Sequence, residues 1–231
     1  MKKRFAFLIF LLCLSGFAKS LSFKSVGDTV SISPQSLFVN CLCYNDWIDG
    51  RVKNTAEVEL RERATNGPIL KNATVKVNGR ELVFAADEQI YQGDIGKIEQ
   101  WQKIAIHIET QDGRKVDGYV AVVFLLRISE PKPFVHIPSS YVLPLRWDYS
   151  EGSMHTVELL ILRDNVELKS LEVPGNYTTL NFKRLGLPIT KGDTIRLLIL
   201  PFWTNNSELQ GNLTKSSKAQ FITRASVTIQ F

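Results

Sequence analysis

Only three histidines and three cysteines occur in 231 residues, and that scarcity removes several kinds of chemistry. His107, His136 and His155 are scattered, and none has beside it a serine or cysteine in a turn that would present a nucleophile. A structural zinc site takes four convergent ligands. Cys41 and Cys43 lie far from every histidine in sequence and do not supply that set. Asp46, Asp49 and Gly50 in "NDWIDG" share their acids with calcium loops, but the spacing is not that of an EF-hand and reads as a plain turn. No catalytic residue, metal or other cofactor is therefore expected. Helical periodicity is nearly missing too. Beyond the first twenty residues the longest apolar run is Val120 to Leu126, well short of the roughly twenty residues of a membrane-spanning helix.

The amino terminus reads as an export signal. Met1-Lys2-Lys3-Arg4 is a positive start, Phe5 to Leu14 a short apolar run, and Gly16-Phe17-Ala18 places small residues where a signal peptidase reads. Residues 1–18 are expected to be cleaved, sending the chain to the periplasm or cell surface. Cys13 is preceded by Leu12, bulky where lipid attachment wants a small residue. The formal net charge is +5, and Lys2, Lys3 and Arg4 supply three of those charges. What remains is too little for a nucleic-acid partner.

Period-two alternation dominates the rest. Ala56, Val58 and Leu60 alternate with Glu57, Glu59 and Arg61, and Ile104, Ile106 and Ile108 alternate with Ala105 and His107. Asn78-Gly79, Asp112-Gly113 and Asp164-Asn165 separate such runs as hairpin turns. "SEPKPF" at 129–134 carries two prolines and reads as an extended connector. Beyond it, stretches at 134–137, 143–150, 155–173, 177–183, 194–203 and 219–231 supply about seven strands, the number of an immunoglobulin-like sandwich. The expected fold is all-β: an N-terminal immunoglobulin-like sandwich at 19–128, a linker at 129–133, and a second sandwich at 134–231. Leu197 to Phe202 is apolar on both faces, as in a central or covered strand.

Trp147 in "LPLRW" and the stretch "TTLNFKRLGLPITKGDTIRLLIL" (178–200) carry a resemblance to fibronectin type III domains. Trp147 stands where that family keeps a core tryptophan, and the stretch is similar to the family's leucine-bearing loop before the sixth strand. Ile195 stands where the family usually places a tyrosine. The resemblance covers roughly 131–231 and implies a sandwich without a shared catalytic site. Residues 21–128 are similar, more loosely, to immunoglobulin-like or prealbumin-like modules of bacterial surface proteins.

Val39, Cys41 and Cys43 share one face of a strand, about 6.5–7 Å apart at a rise of 3.3 Å per residue. A disulfide wants β-carbons about 3.5–4.5 Å apart. The pair is read as two buried thiols; an intermolecular disulfide through either sulfur and a bulged local bridge stay open. Trp203 opens a polar stretch, "TNNSELQGNLTKSSK" (204–218), read as a long loop between the last strands. Trp203, Asn205, Asn206 and Lys215 are the binding candidates, for a protein or glycan of the envelope or surface. Trp47 and Trp101 are ambiguous between core and loop anchor. Asn72, Asn176, Asn205 and Asn212 sit in glycosylation sequons, a frequent chance pattern. The ending "ASVTIQF", with terminal Phe231, resembles the last strand of outer-membrane barrels, so a small barrel or envelope-associated protein is the alternative. Intact-mass measurement of the exported protein under non-reducing conditions is expected to give a single chain beginning at Lys19. A precursor beginning at Met1 would contradict the signal reading.

Overall fold

In a computed structural model, described over residues 36–137, 142–148, 156–201 and 207–231, the alternating stretches form strands. β1 (Leu37–Ile48) and β2 (Arg51–Glu62) make a long hairpin around Asp49 and Gly50, at φ 48° and 86°. Paired positive φ values give a turn whose twist matches the strands it joins. β3 (Ala73–Val77) and β4 (Arg80–Glu81) turn the same way at Asn78-Gly79. β5 (Val83–Ala85), β6 (Ile90–Asp94), β7 (Lys103–Thr110), β8 (Lys115–Ala121) and β9 (Arg127–Glu130) follow. The later strands are β10 (Val135–His136), β11 (Val142–Pro144), β12 (Arg146–Asp148), β13 (Thr156–Arg163), β14 (Val166–Pro174) and β15 (Thr179–Asn181). A one-turn helix, α1 (Phe182–Leu185), precedes β16 (Thr194–Pro201), β17 (Ser207–Gly211) and β18 (Lys218–Gln230).

A nine-stranded sheet runs β14-β13-β16-β18-β1-β2-β6-β5, with β10 beside the end of β18. Its β1, β2 and β6 pack on a five-stranded sheet, β17-β8-β7-β3-β4, where Cys41, Cys43, Val58 and Leu60 meet Ile104, Ile106, Ile108 and Val120. Its β13, β16 and β18 pack on the two-stranded sheets β12-β9 and β11-β15, where Leu159, Leu197 and Val227 meet Ile128, Trp147, Leu143 and Leu180. The fold is thus all-β, with two apolar cores. Full burial of each such leucine or isoleucine contributes about 1.5–3 kcal/mol.

β18 belongs to both cores. Ala219 and Phe221 lie in the first, whereas Ala225, Val227 and Ile229 lie in the second. It runs parallel to β1 from Asn40↔Lys218 to Ile48↔Ser226 and antiparallel to β16 from Ile199↔Ala225 to Thr194↔Gln230. Trp47, at the end of β1, sits in the second core, 8% exposed. The Ser129–Pro133 connector lies at the end of β9 and ahead of β10, and the chain later crosses back through β17 to pair with β8.

Three local expectations change. The 204–218 stretch, read as a loop, contains β17. As an edge strand it has one neighbour and one half-buried apolar residue, Leu209, so it shows little alternation. The 177–183 strand ends in α1 instead, where the Asn181 side chain accepts from the Arg184 N–H and caps the turn. The barrel alternative is overturned. The nine-stranded sheet ends at β14 and β5, and no sheet closes among the described residues. Phe231 packs inward, 6% exposed, its ring edge-on to Phe182 at 5.0 Å.

Gly118 lets β17 dock, since a β-carbon there would stand 2.1 Å from the Glu208 carbonyl oxygen. Gly118→Ala is expected to cost about 1–3 kcal/mol and to loosen β17, read as a lower urea midpoint with faster amide exchange at Leu209. An unchanged midpoint would contradict this packing.

Candidate functional site

Where β18 passes from one core to the other, inward positions turn polar. Asn45 on β1, Asn54 on β2 and Thr223 on β18 are all buried. The Asn45 Nδ2 donates to Asn54 Oδ1 at 2.7 Å, and Asn54 Nδ2 donates to the Gly96 carbonyl at 2.7 Å. Thr223 Oγ1 donates to Asn45 Oδ1 at 3.2 Å and accepts from the Leu126 N–H at 3.0 Å. Leu126 lies just before β9, so this network joins three strands to the segment that enters the second sandwich. A buried polar network with its groups paired fixes one arrangement.

The opposite face of the same strands carries charge. Arg224 donates to both Asp46 oxygens, at 2.6 and 2.7 Å, and its guanidinium carbon lies 4.5 Å from the Tyr44 ring centroid. The Tyr44 hydroxyl donates to Glu57 Oε2 at 3.3 Å. Burial pushes the Tyr44 hydroxyl pKa up, and the neighbouring Glu57 carboxylate adds to it. Burial likewise raises the Glu57 carboxyl, against the lowering effects of the Tyr44 bond and Arg224. For Arg224, burial works against the charge and the Asp46 bonds more than offset it. These groups satisfy one another. The arrangement latches β2, β1 and β18 together.

The end of the crossing exposes apolar side chains. Asp49 turns the β1–β2 hairpin and accepts from the Thr228 N–H at 2.6 Å and hydroxyl at 2.9 Å. Just past it along the same side of β18, the Phe134 N–H donates to the Thr228 carbonyl and Val135 pairs with Ile229. Ile48, Val52, Phe134 and Val135 stand 41, 50, 57 and 37% exposed. The hairpin and the strap after the connector thus each expose large apolar residues, Val52 on the face of Trp47 and Val135 on that of Ile229, with Ile48 on the opposite face of the sheet. Sequence reading missed this, because each stands alone in its own segment.

The residues singled out from sequence are distributed as follows. Trp203, Asn205, Asn206 and His155 lie outside the described residues. Lys215 is exposed in the turn before β18, where the Ser217 hydroxyl donates to the Leu37 carbonyl at 3.2 Å. In sequence, β17 lies between residues 203–206 and that turn. Trp147 is core, whereas Trp101 is 66% exposed at φ 65°. Cys41 and Cys43 are fully buried free thiols with sulfurs 3.9 Å apart. The Cys43 contact and burial hold the Cys41 thiol well above its ordinary pKa, so it is not poised as a nucleophile. An inter-chain bridge would require β1 to leave the core. His107 faces outward, its Nδ1 2.6 Å from Asp117 and its Nε2 3.9 Å from Glu109. His136 is exposed on β10. No group of three metal-ligating side chains occurs among the described residues. No helix among them is long and apolar enough to cross a membrane.

No family model and no curated protein matches this sequence. Among solved structures, the fibronectin(III)-like modules of CbhA from Clostridium thermocellum are similar at 11% identity and a TM-score of 0.25, over 84% of this chain and 93% of that one. The central fibronectin-III array of RIM-binding protein is similar at 13% identity and a TM-score of 0.20, over 73% and 67%. This is a weak fibronectin-III-like resemblance.

The latch gives a signed pH prediction. With its pKa raised by folding, Glu57 binds protons more tightly in the native state than the roughly 4.3 of a free carboxyl. Its favourable contribution is present below that value and is lost as pH rises through the native pKa. Glu57→Gln keeps the acceptor for Tyr44 and removes the titration. Urea unfolding across pH 4 to 8 is expected to show the variant gaining stability relative to the parent as pH rises. A difference independent of pH would contradict the placement of Glu57.

Proposed function

We propose that this protein is an exported, non-enzymatic binding or spacing module of the cell envelope or surface. It acts through exposed side chains and sheet edges on a protein partner, with a glycan as the second class of ligand. The observation that carries this reading is the exposure of four large apolar residues, Ile48, Val52, Phe134 and Val135, around the carboxyl end of β18. Large apolar side chains exposed near one end of a strand offer contact area to a partner. The latch and the polar crossing fix the strands β1, β2 and β18 around which these residues are exposed. Trp203, Asn205, Asn206 and Lys215 are proposed as further binding residues. The edge strand β14 carries Glu167, Lys169 and Glu172, charges that discourage indiscriminate strand pairing.

Two measurements test this. Fractionation of cells expressing the full chain is expected to place it outside the cytoplasm. Cross-linking in the intact envelope, quantified by mass spectrometry, compares the parent with the Ile48→Asp/Phe134→Asp variant. The variant is expected to keep its unfolding midpoint within about 0.5 kcal/mol while losing about tenfold or more of the cross-linked partner. Equal cross-linking by a folded variant would move the binding surface elsewhere.

A further inference from the structure

The first and last described strands lie side by side and run the same way, and that fixes how the fold meets tension. β1 pairs in parallel with β18 over nine residue pairs, from Asn40↔Lys218 to Ile48↔Ser226. Tension entering at residue 36 pulls β1 backward from its start, and tension entering at Phe231 pulls β18 forward from its end. Parallel strands loaded at opposite ends slide along each other, so the bonds between them share the load. An antiparallel pair loaded at its two ends would instead open one bond at a time.

Further backbone bonds and side-chain bonds reinforce this one ladder along its length. At its start, the Leu37 N–H donates to the Asn212 carbonyl at 2.6 Å and the Thr214 N–H to the Leu37 carbonyl at 2.8 Å, while the Val39 N–H donates to Ser217 Oγ at 3.1 Å. Mid-ladder stand the Thr223–Asn45 bond and the bidentate Arg224–Asp46 pair. At its end the Asp49 N–H donates to the Ser226 carbonyl at 3.0 Å, and the Asp49 carboxylate holds both donors of Thr228. The proline-containing connector at 129–133 and strands β9 to β16 hang from the side of β18, off the direct path between the two ends.

We propose that the β1–β18 ladder is a tension-bearing clamp, which resists force that enters at residue 36 and leaves at Phe231. This deepens the spacing half of the function proposed above and rests on it for its setting. The clamp itself follows from strand direction and stands whether or not a partner docks on the exposed apolar residues.

Single-molecule pulling on the chain from Lys19 onward tests it in two geometries. The first holds the amino and carboxyl ends. The second holds the amino end and a handle on Lys215→Cys, in the exposed turn just ahead of β18, so that the same ladder is unzipped from its start; the buried Cys41 and Cys43 do not compete for the handle. Forced unfolding reports the barrier along the pulling direction, and the end-to-end geometry is expected to need about twofold more force or greater. Arg224→Ala is expected to lower the end-to-end force and to leave the unzipping force nearly unchanged. If that variant fails to fold, the comparison of geometries in the otherwise unaltered chain still decides. Equal forces in the two geometries would overturn the clamp, as would low-force release of the second sandwich ahead of the ladder in the end-to-end geometry. Either result would leave the docking residues, read by cross-linking, untouched.

Discussion

Inward positions recur at every second residue of β18 from Ala219 to Ile229, and both apolar cores are built on them. Because side chains alternate strictly along a strand, a slip of one residue would turn all of these positions outward together. Register therefore has to be right for both sandwiches at once. Its guarantors stand on both faces of the crossing: the Asn45–Asn54–Thr223 network inside, and Asp46 with Arg224 outside. The inner network is polar where an apolar pair would pack, which marks the residue at which one core stops and the next begins. An arginine removed from this latch would leave Asp46, whose side chain is 14% exposed, without its strongest partner. Truncating one member of a buried, hydrogen-bonded pair is costly for that reason.

The same crossing explains why these apolar residues are exposed. β1 runs out opposite Ser226, and β10 takes up the edge of β18 only at Ile229. The gap is filled by the hairpin turn at Asp49 and by the chain around Phe134, both of which spend their polar groups on Thr228. Their apolar neighbours, Ile48, Val52 and Val135, are left at the rim. Exposed apolar residues on fixed strands let binding proceed without a large ordering cost.

Much of this was legible in the amino-acid sequence, and the reasons are local. Alternation at 56–60 and 104–108 gave strands with the right faces, and Asn78-Gly79 and Asp164-Asn165 turn with positive φ as their composition suggests. The two thiols lie on one buried face of β1, as a spacing of two requires. What stayed hidden depends on partners distant in sequence. β17 has too few apolar residues to declare itself, and only its pairing with β8 makes it a strand. Nothing in "WIDG" says that Trp47 reaches into the second core, whose other members all lie from Val123 onward. β18 reads as one strand in either case, because its periodicity is the same whether it serves one sandwich or two.

The central claim is that the shared strand makes the two cores one cooperative unit. Differential scanning calorimetry of the chain from Lys19 onward tests it most directly. The account predicts a single transition whose calorimetric enthalpy equals its van't Hoff enthalpy, as for one two-state unit. Two resolved transitions, or a calorimetric enthalpy about twice the van't Hoff value, would mean that each sandwich melts alone, and would contradict it.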